Sequence, residues 1–141
     1  MLGKNDAPLQ TREKIMLNDK QPVATIAVRD LQVARRFYED KLGLTPPGDP
    51  DPHMVAYPCG GSSLFVYQSE YAGTNKATSV TWNVGSDLTE IVRRLGAKGV
   101  AFENYDFPGT TKEGDIHIFG EIRNAWFKDP DGNIHSLVDG G

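Results

Sequence analysis

Residues 23–28 form an apolar run broken by Thr25, residues 79–84 alternate polar and apolar, and each run leads into a stretch whose apolar residues recur at helical spacing. In the first copy Asp30 is a suitable N-cap for a helix over 31–41, with Leu31, Ala34, Phe37, Tyr38 and Leu42 on one stripe and Gly43 closing it. In the second, Ser86 or Asp87 caps a helix carrying Leu88, Ile91, Val92 and Leu95 on one face, ended by Gly96 and Gly99. One supersecondary unit written twice implies a cleft between the copies.

The remaining pattern fills in each unit. Four prolines and a glycine within 46–52 forbid helix and mark a surface loop. Residues 54–57 and 63–68 are predicted strands of a hairpin turning at Gly60-Gly61, and 70–77 is a polar connection. After the second helix, 100–104 is a predicted strand, 105–116 a long polar loop and 118–127 an extended run. Asp129-Pro130-Asp131-Gly132-Asn133 is then a tight-turn signal before a last strand over 134–138. The order is βαβββ twice, with modules over 22–72 and 78–139, and residues 1–21 are expected to form a polar arm outside the domain.

Composition narrows the chemistry. A chain of 141 residues is long enough for one real core. A net charge of -4 without a basic cluster argues against nucleic acid. No apolar run reaches the roughly 20 residues that span a bilayer, and the N-terminus is too polar for a signal peptide, so the expectation is a cytoplasmic protein without a membrane partner. The single Cys59 excludes an intrachain disulfide and a cysteine-cluster zinc site, and reads as a small buried thiol.

The tandem order, the sequences Val28-Arg29-Asp30-Leu31, Arg36-Phe37-Tyr38 and Leu42-Gly43-Leu44, and above all Trp126-Phe127-Lys128-Asp129-Pro130-Asp131-Gly132-Asn133 resemble the vicinal oxygen chelate superfamily. That superfamily includes glyoxalase, extradiol dioxygenases and bleomycin-resistance proteins. The resemblance covers about 22–139 and implies an α+β fold: tandem βαβββ modules forming a half-open mixed β-sheet barrel with helices on its outer face. It implies homodimerisation as well, since modules of many members pair across chains. Family enzymes hold a divalent metal in the barrel by histidine and glutamate. At the corresponding positions this chain has Val23 and Ser79, five residues before Val28 and Val84, and Ser136, three residues after Asn133. The hairpin strand offers no acid or histidine. A catalytic divalent site needs about three nitrogen or charged-oxygen donors, so the expectation is a cavity with neither metal nor cofactor.

Strand alternation turns Val23, Thr25, Ser79, Thr81 and Ser136 toward that cavity, and Tyr67 and Trp126 are candidate aromatic walls. Tyr105, at the base of the polar loop with Glu103 and Asp106, is a candidate at its mouth, and the loop itself a candidate lid. Of the three histidines, His53 lies in the proline-rich loop and His135 faces the helices by alternation. His117, near Glu113, Asp115 and Glu121 in sequence, is the candidate acid or base, with Glu121 as its partner. Two functions follow: a metal-free protein that binds or sequesters a small apolar or aromatic molecule, or a lyase, isomerase or dioxygenase-type enzyme acting on a small metabolite.

Overall fold

In strand β1 (Ala24–Val28) Ile26 and Val28 are buried while Thr25 is exposed, so the strand gives one face to a core and leaves the other open. The same alternation recurs in β3 (Ser62–Gln68), where Leu64 and Val66 are buried. With β2 (Met54–Cys59) these form a three-stranded sheet in the order β1-β3-β2, β1 parallel and β2 antiparallel to β3. The computed structural model describes residues 15–48 and 50–140. Residues 1–14 of the expected arm therefore lie outside the described residues.

Between β1 and β2 runs helix α1 (Leu31–Arg35), which continues as a π-helical turn over Arg36–Lys41. Asp30 caps it as the sequence implies, its carboxylate accepting from the backbone N–H groups of Gln32 and Val33. The wider turn, closed by the Leu42 N–H to Phe37 carbonyl bond of 3.1 Å, brings the adjacent Phe37 and Tyr38 both into the core.

The second module opens with β4 (Thr78–Asn83) and a short 3-10 turn (Gly85–Asp87), followed by α2 (Leu88–Ala97). Here the expected cap differs: Asp87 occupies the N-cap position but makes no side-chain capping bond, because the 3-10 turn already leads the backbone into the helix. A six-stranded sheet follows, with β4, β9 (Ile134–Val138), β8 (Ile122–Lys128), β7 (Ile116–Phe119) and β6 (Thr111–Glu113) in that order and β5 (Phe102–Glu103) paired to β8.

Three details depart from the sequence pattern. Two strands follow α1 in the first module, since the 70–77 connection stays out of the sheet. The run expected over 118–127 is broken by a turn at Gly120, φ +61°, into β7 and β8. The polar 105–116 stretch contains β6, which pairs with β7 through Thr111↔Ile118 and Glu113↔Ile116. The result is an α+β fold of mixed sheets that stay half open, with both helices packed on one side. No helix among the described residues is long and apolar enough to cross a membrane.

The two modules share one core, in which Ile26, Val28, Phe37 and Tyr38 pack with Val80, Leu95, Phe127 and Leu137. The 129–133 turn fastens them. Asn133 Nδ2 donates to the Ala27 carbonyl at 2.9 Å, and the Arg29 N–H donates to Asp131 Oδ1 at 3.1 Å. Gly132 holds this turn at φ +84° with open space where a Cβ would stand, so a side chain there meets backbone strain alone. Gly132→Val is expected to lower stability by roughly 1 to 2 kcal/mol. Urea unfolding checks it, an unchanged midpoint being the contrary result.

Candidate functional site

The histidines separate the buried from the available chemistry. His135 is fully buried with both ring nitrogens bonded. The indole N–H of Trp82, which can only donate, donates to Nδ1 at 3.0 Å, so the ring proton sits on Nε2 and is donated to the Tyr38 oxygen at 2.9 Å. Tyr38 in turn donates to Asp129 Oδ2 at 2.7 Å, and Phe127 stacks on the imidazole at a centroid distance of 4.8 Å. Burial depresses the His135 pKa to about 4. Burial, then the Asp129 charge, raises that of Tyr38 well above the ordinary phenol range. This chain of bonds joins the first helix to the second sheet and is structural.

The open faces of the sheets hold the expected ligand-binding residues at several places. A cleft of about 570 Å³ lies between the modules, where the edge strands β1 and β4 run side by side. Val23, Ala24, Ser63, Cys59, Thr81 and Asn83 line it. Burial raises the pKa of the Cys59 thiol, which disfavours the thiolate. A second cleft of about 300 Å³ is lined by Tyr105, Phe107 and Trp126 with Lys76, Thr78 and Ile134.

Thr25 and Tyr67 stand on the open face of the first sheet, with Phe65 6.1 Å from the Tyr67 ring, and line neither cleft. Ser79 sits at a bulge where the pairing slips from Thr78↔Ile134 to Val80↔His135, and its hydroxyl accepts from Asn75 Nδ2 at 3.3 Å. Ser136 is buried on the open face, where its hydroxyl donates to Asn124 Oδ1 at 2.9 Å. At the three positions where the fold family places metal ligands, the chain thus has an apolar side chain and two hydroxyls already bonded to asparagines. No group of three or more His, Cys, Asp or Glu among the described residues is placed to hold a metal. The residues present do not fit a catalytic divalent ion.

His117 is placed otherwise than its acidic sequence neighbours suggest. Alternation sets His117 and Phe119 on the open face, opposite Ile116 in the core. Tyr105, Phe107, Phe119 and Trp126 surround the imidazole, the Trp126 ring edge-on at 4.9 Å. Glu121 lies exposed in the β7–β8 turn and makes no hydrogen bond with His117. Glu113 is engaged by Arg123 at 2.8 Å and Asp115 by Asn104 at 3.2 Å. Exposed His53 stays in the proline-rich loop. Phe107 and Phe119 are the members of this cluster that sequence reasoning missed, Phe107 the less expected of the two. Its place in a polar loop hid it, and its spacing of two from Tyr105 was the available signal.

The family model described as Glyoxalase/Bleomycin resistance protein/Dioxygenase superfamily matches residues 20–136. No curated protein matches the chain significantly in sequence. Among solved structures, the fosfomycin resistance protein FosX from Mesorhizobium loti is 17% identical with a TM-score of 0.63, covering 89% of this chain and 95% of its own. The monoclinic form of FosX from Listeria monocytogenes is 16% identical with a TM-score of 0.67, covering 87% and 92%. A lactoylglutathione lyase from Agrobacterium tumefaciens is 17% identical with a TM-score of 0.60, covering 85% and 92%. At these identities the likeness is one of fold.

Proposed function

We propose that this chain, which belongs to the Glyoxalase/Bleomycin resistance protein/Dioxygenase superfamily, uses the superfamily fold to bind a small apolar or aromatic molecule without a divalent metal. One observation carries the reading: the cleft between the modules has the volume of a small-molecule site, and the family's ligand positions, of which Val23 lines this cleft, hold no free donor set among the described residues. Its walls are apolar at Val23 and Ala24 and carry isolated polar groups at Ser63, Thr81 and Asn83. Such groups orient a ligand, while the lack of a charged pair or an activated nucleophile along these walls gives bond breaking no starting point. Asn83 Oδ1 already accepts from the Gly85 N–H at 3.3 Å, which leaves the amide N–H groups of Asn83 as donors to a ligand.

The test is a fragment screen by ligand-observed NMR, repeated on Thr81→Trp. Thr81 is exposed on the open face, so the larger ring fills the cleft without entering the core. Fragments of the wild-type screen are expected to bind the variant at least tenfold more weakly, with thermal unfolding nearly unchanged. Equal binding to both proteins is the contrary outcome.

A further inference from the structure

His117 and His135 are equally buried, yet only one is satisfied. At His135 both ring nitrogens have partners. At His117 the backbone N–H of Tyr105 donates to Nε2 at 3.0 Å, which requires the ring proton to be on Nδ1, and Nδ1 has no partner. A buried N–H donor left without an acceptor is a cost that native structures rarely retain without a reason. The three rings lining the second cleft, Tyr105, Phe107 and Trp126, are also three of the four rings around His117. This cleft therefore has an aromatic wall that packs on a histidine carrying an unused donor.

Phe107 packs beside His117 and on Tyr105, Phe119 and Trp126, yet it is the exposed ring of the cluster. Phe107 is 43% exposed, and its segment is tied down by two bonds from Thr110 to the Phe107 carbonyl and by an exposed Lys112–Asp106 pair at 3.5 Å. On the rim stands Lys76, which makes no ion pair among the described residues.

We propose that the second cleft is a separate binding site for a planar aromatic molecule carrying an acceptor oxygen, which stacks against Tyr105 and Trp126 and, as Phe107 withdraws, accepts the hydrogen bond of His117 Nδ1. His117 then acts as a binding donor. Its Nε2 stays committed to the Tyr105 backbone, which holds the ring in position. Lys76 at the mouth favours an anionic acceptor, which makes an aromatic carboxylate the preferred class.

The inference is tested with three probes of one size, benzoate, benzamide and toluene, read by the side-chain nitrogen shifts of His117 and by amide shift mapping. Benzoate is expected to bind most tightly, benzamide next, and toluene at least tenfold more weakly than benzoate, with the Nδ1 shift moving for the two acceptor-bearing probes. The variant His117→Phe keeps an aromatic ring of similar bulk and is expected to abolish the preference for acceptors. Lys76→Ala should weaken benzoate alone. Equal binding of all three probes, or no binding at millimolar concentration, overturns the inference, and the wild-type series is decisive even if His117→Phe fails to fold. Shifts confined to Thr81 and Asn83 overturn it too, while leaving the cleft between the modules as the binding site.

Discussion

Asp129→Ala is expected to destabilise the protein by about 3 to 5 kcal/mol, more than a turn residue ordinarily costs. The carboxylate is 5% exposed and accepts four hydrogen bonds. Oδ1 takes the N–H groups of Asp131 at 2.9 Å and Asn133 at 2.8 Å, while Oδ2 takes the Tyr38 hydroxyl at 2.7 Å and Asn133 Nδ2 at 2.8 Å. Removing it strands four donors, one of them from the other module. Were the turn only a hairpin connection, the loss would be that of a cap, about 1 kcal/mol. A double-mutant cycle with Tyr38→Phe separates the two, because a genuine inter-module bond makes Tyr38→Phe much cheaper once Asp129 is gone. Additive costs in urea unfolding would show that Asp129 serves the turn alone.

Stability is expected to fall by roughly 3 kcal/mol as the pH drops from 6.5 to 4, through His135. The folded-state pKa, about 4, lies below the ordinary value of 6.5. Between those values the unfolded chain binds a proton that the folded chain refuses, so stability rises with pH across this window. The contribution is complete above about 6.5 and fully lost below about 4. Protonation would also put a second ring proton on Nδ1, facing the indole N–H of Trp82. Urea unfolding at the two pH values measures the drop, and the His135 ring proton shifts should stay constant from pH 8 to pH 5. A titration of that ring near 6.5 would contradict the buried, neutral assignment.

Much of the architecture was legible because it depends on local patterns. Strand alternation over 23–28 and 79–84 assigned the buried face of both edge strands, and Asp30 capped its helix with two backbone N–H groups in range. The turn at 129–133 was visible from its residues, but its role as the fastening between modules was not. That role depends on Tyr38, 91 residues away along the chain. Strand β5 falls within the strand predicted over 100–104, whereas β6 escaped notice because its residues are polar and exposed, so pairing rather than burial defines it. The bulge at Ser79 was equally invisible, since nothing in a single strand marks where its partner slips. His117 shows the limit of reading charge along a sequence. Its acidic neighbours lie close in the chain, but the pleat turns the imidazole to the opposite side and gives it aromatic company from other segments.

The measurement that tests the central claim most directly is amide shift mapping of the tightest-binding fragment in the presence of EDTA. A metal-free cleft predicts perturbations at Val23, Ser63, Thr81 and Asn83, with an affinity that chelator does not change. Binding that appears only when zinc, manganese or iron is restored, or perturbations that avoid these four residues, would contradict it.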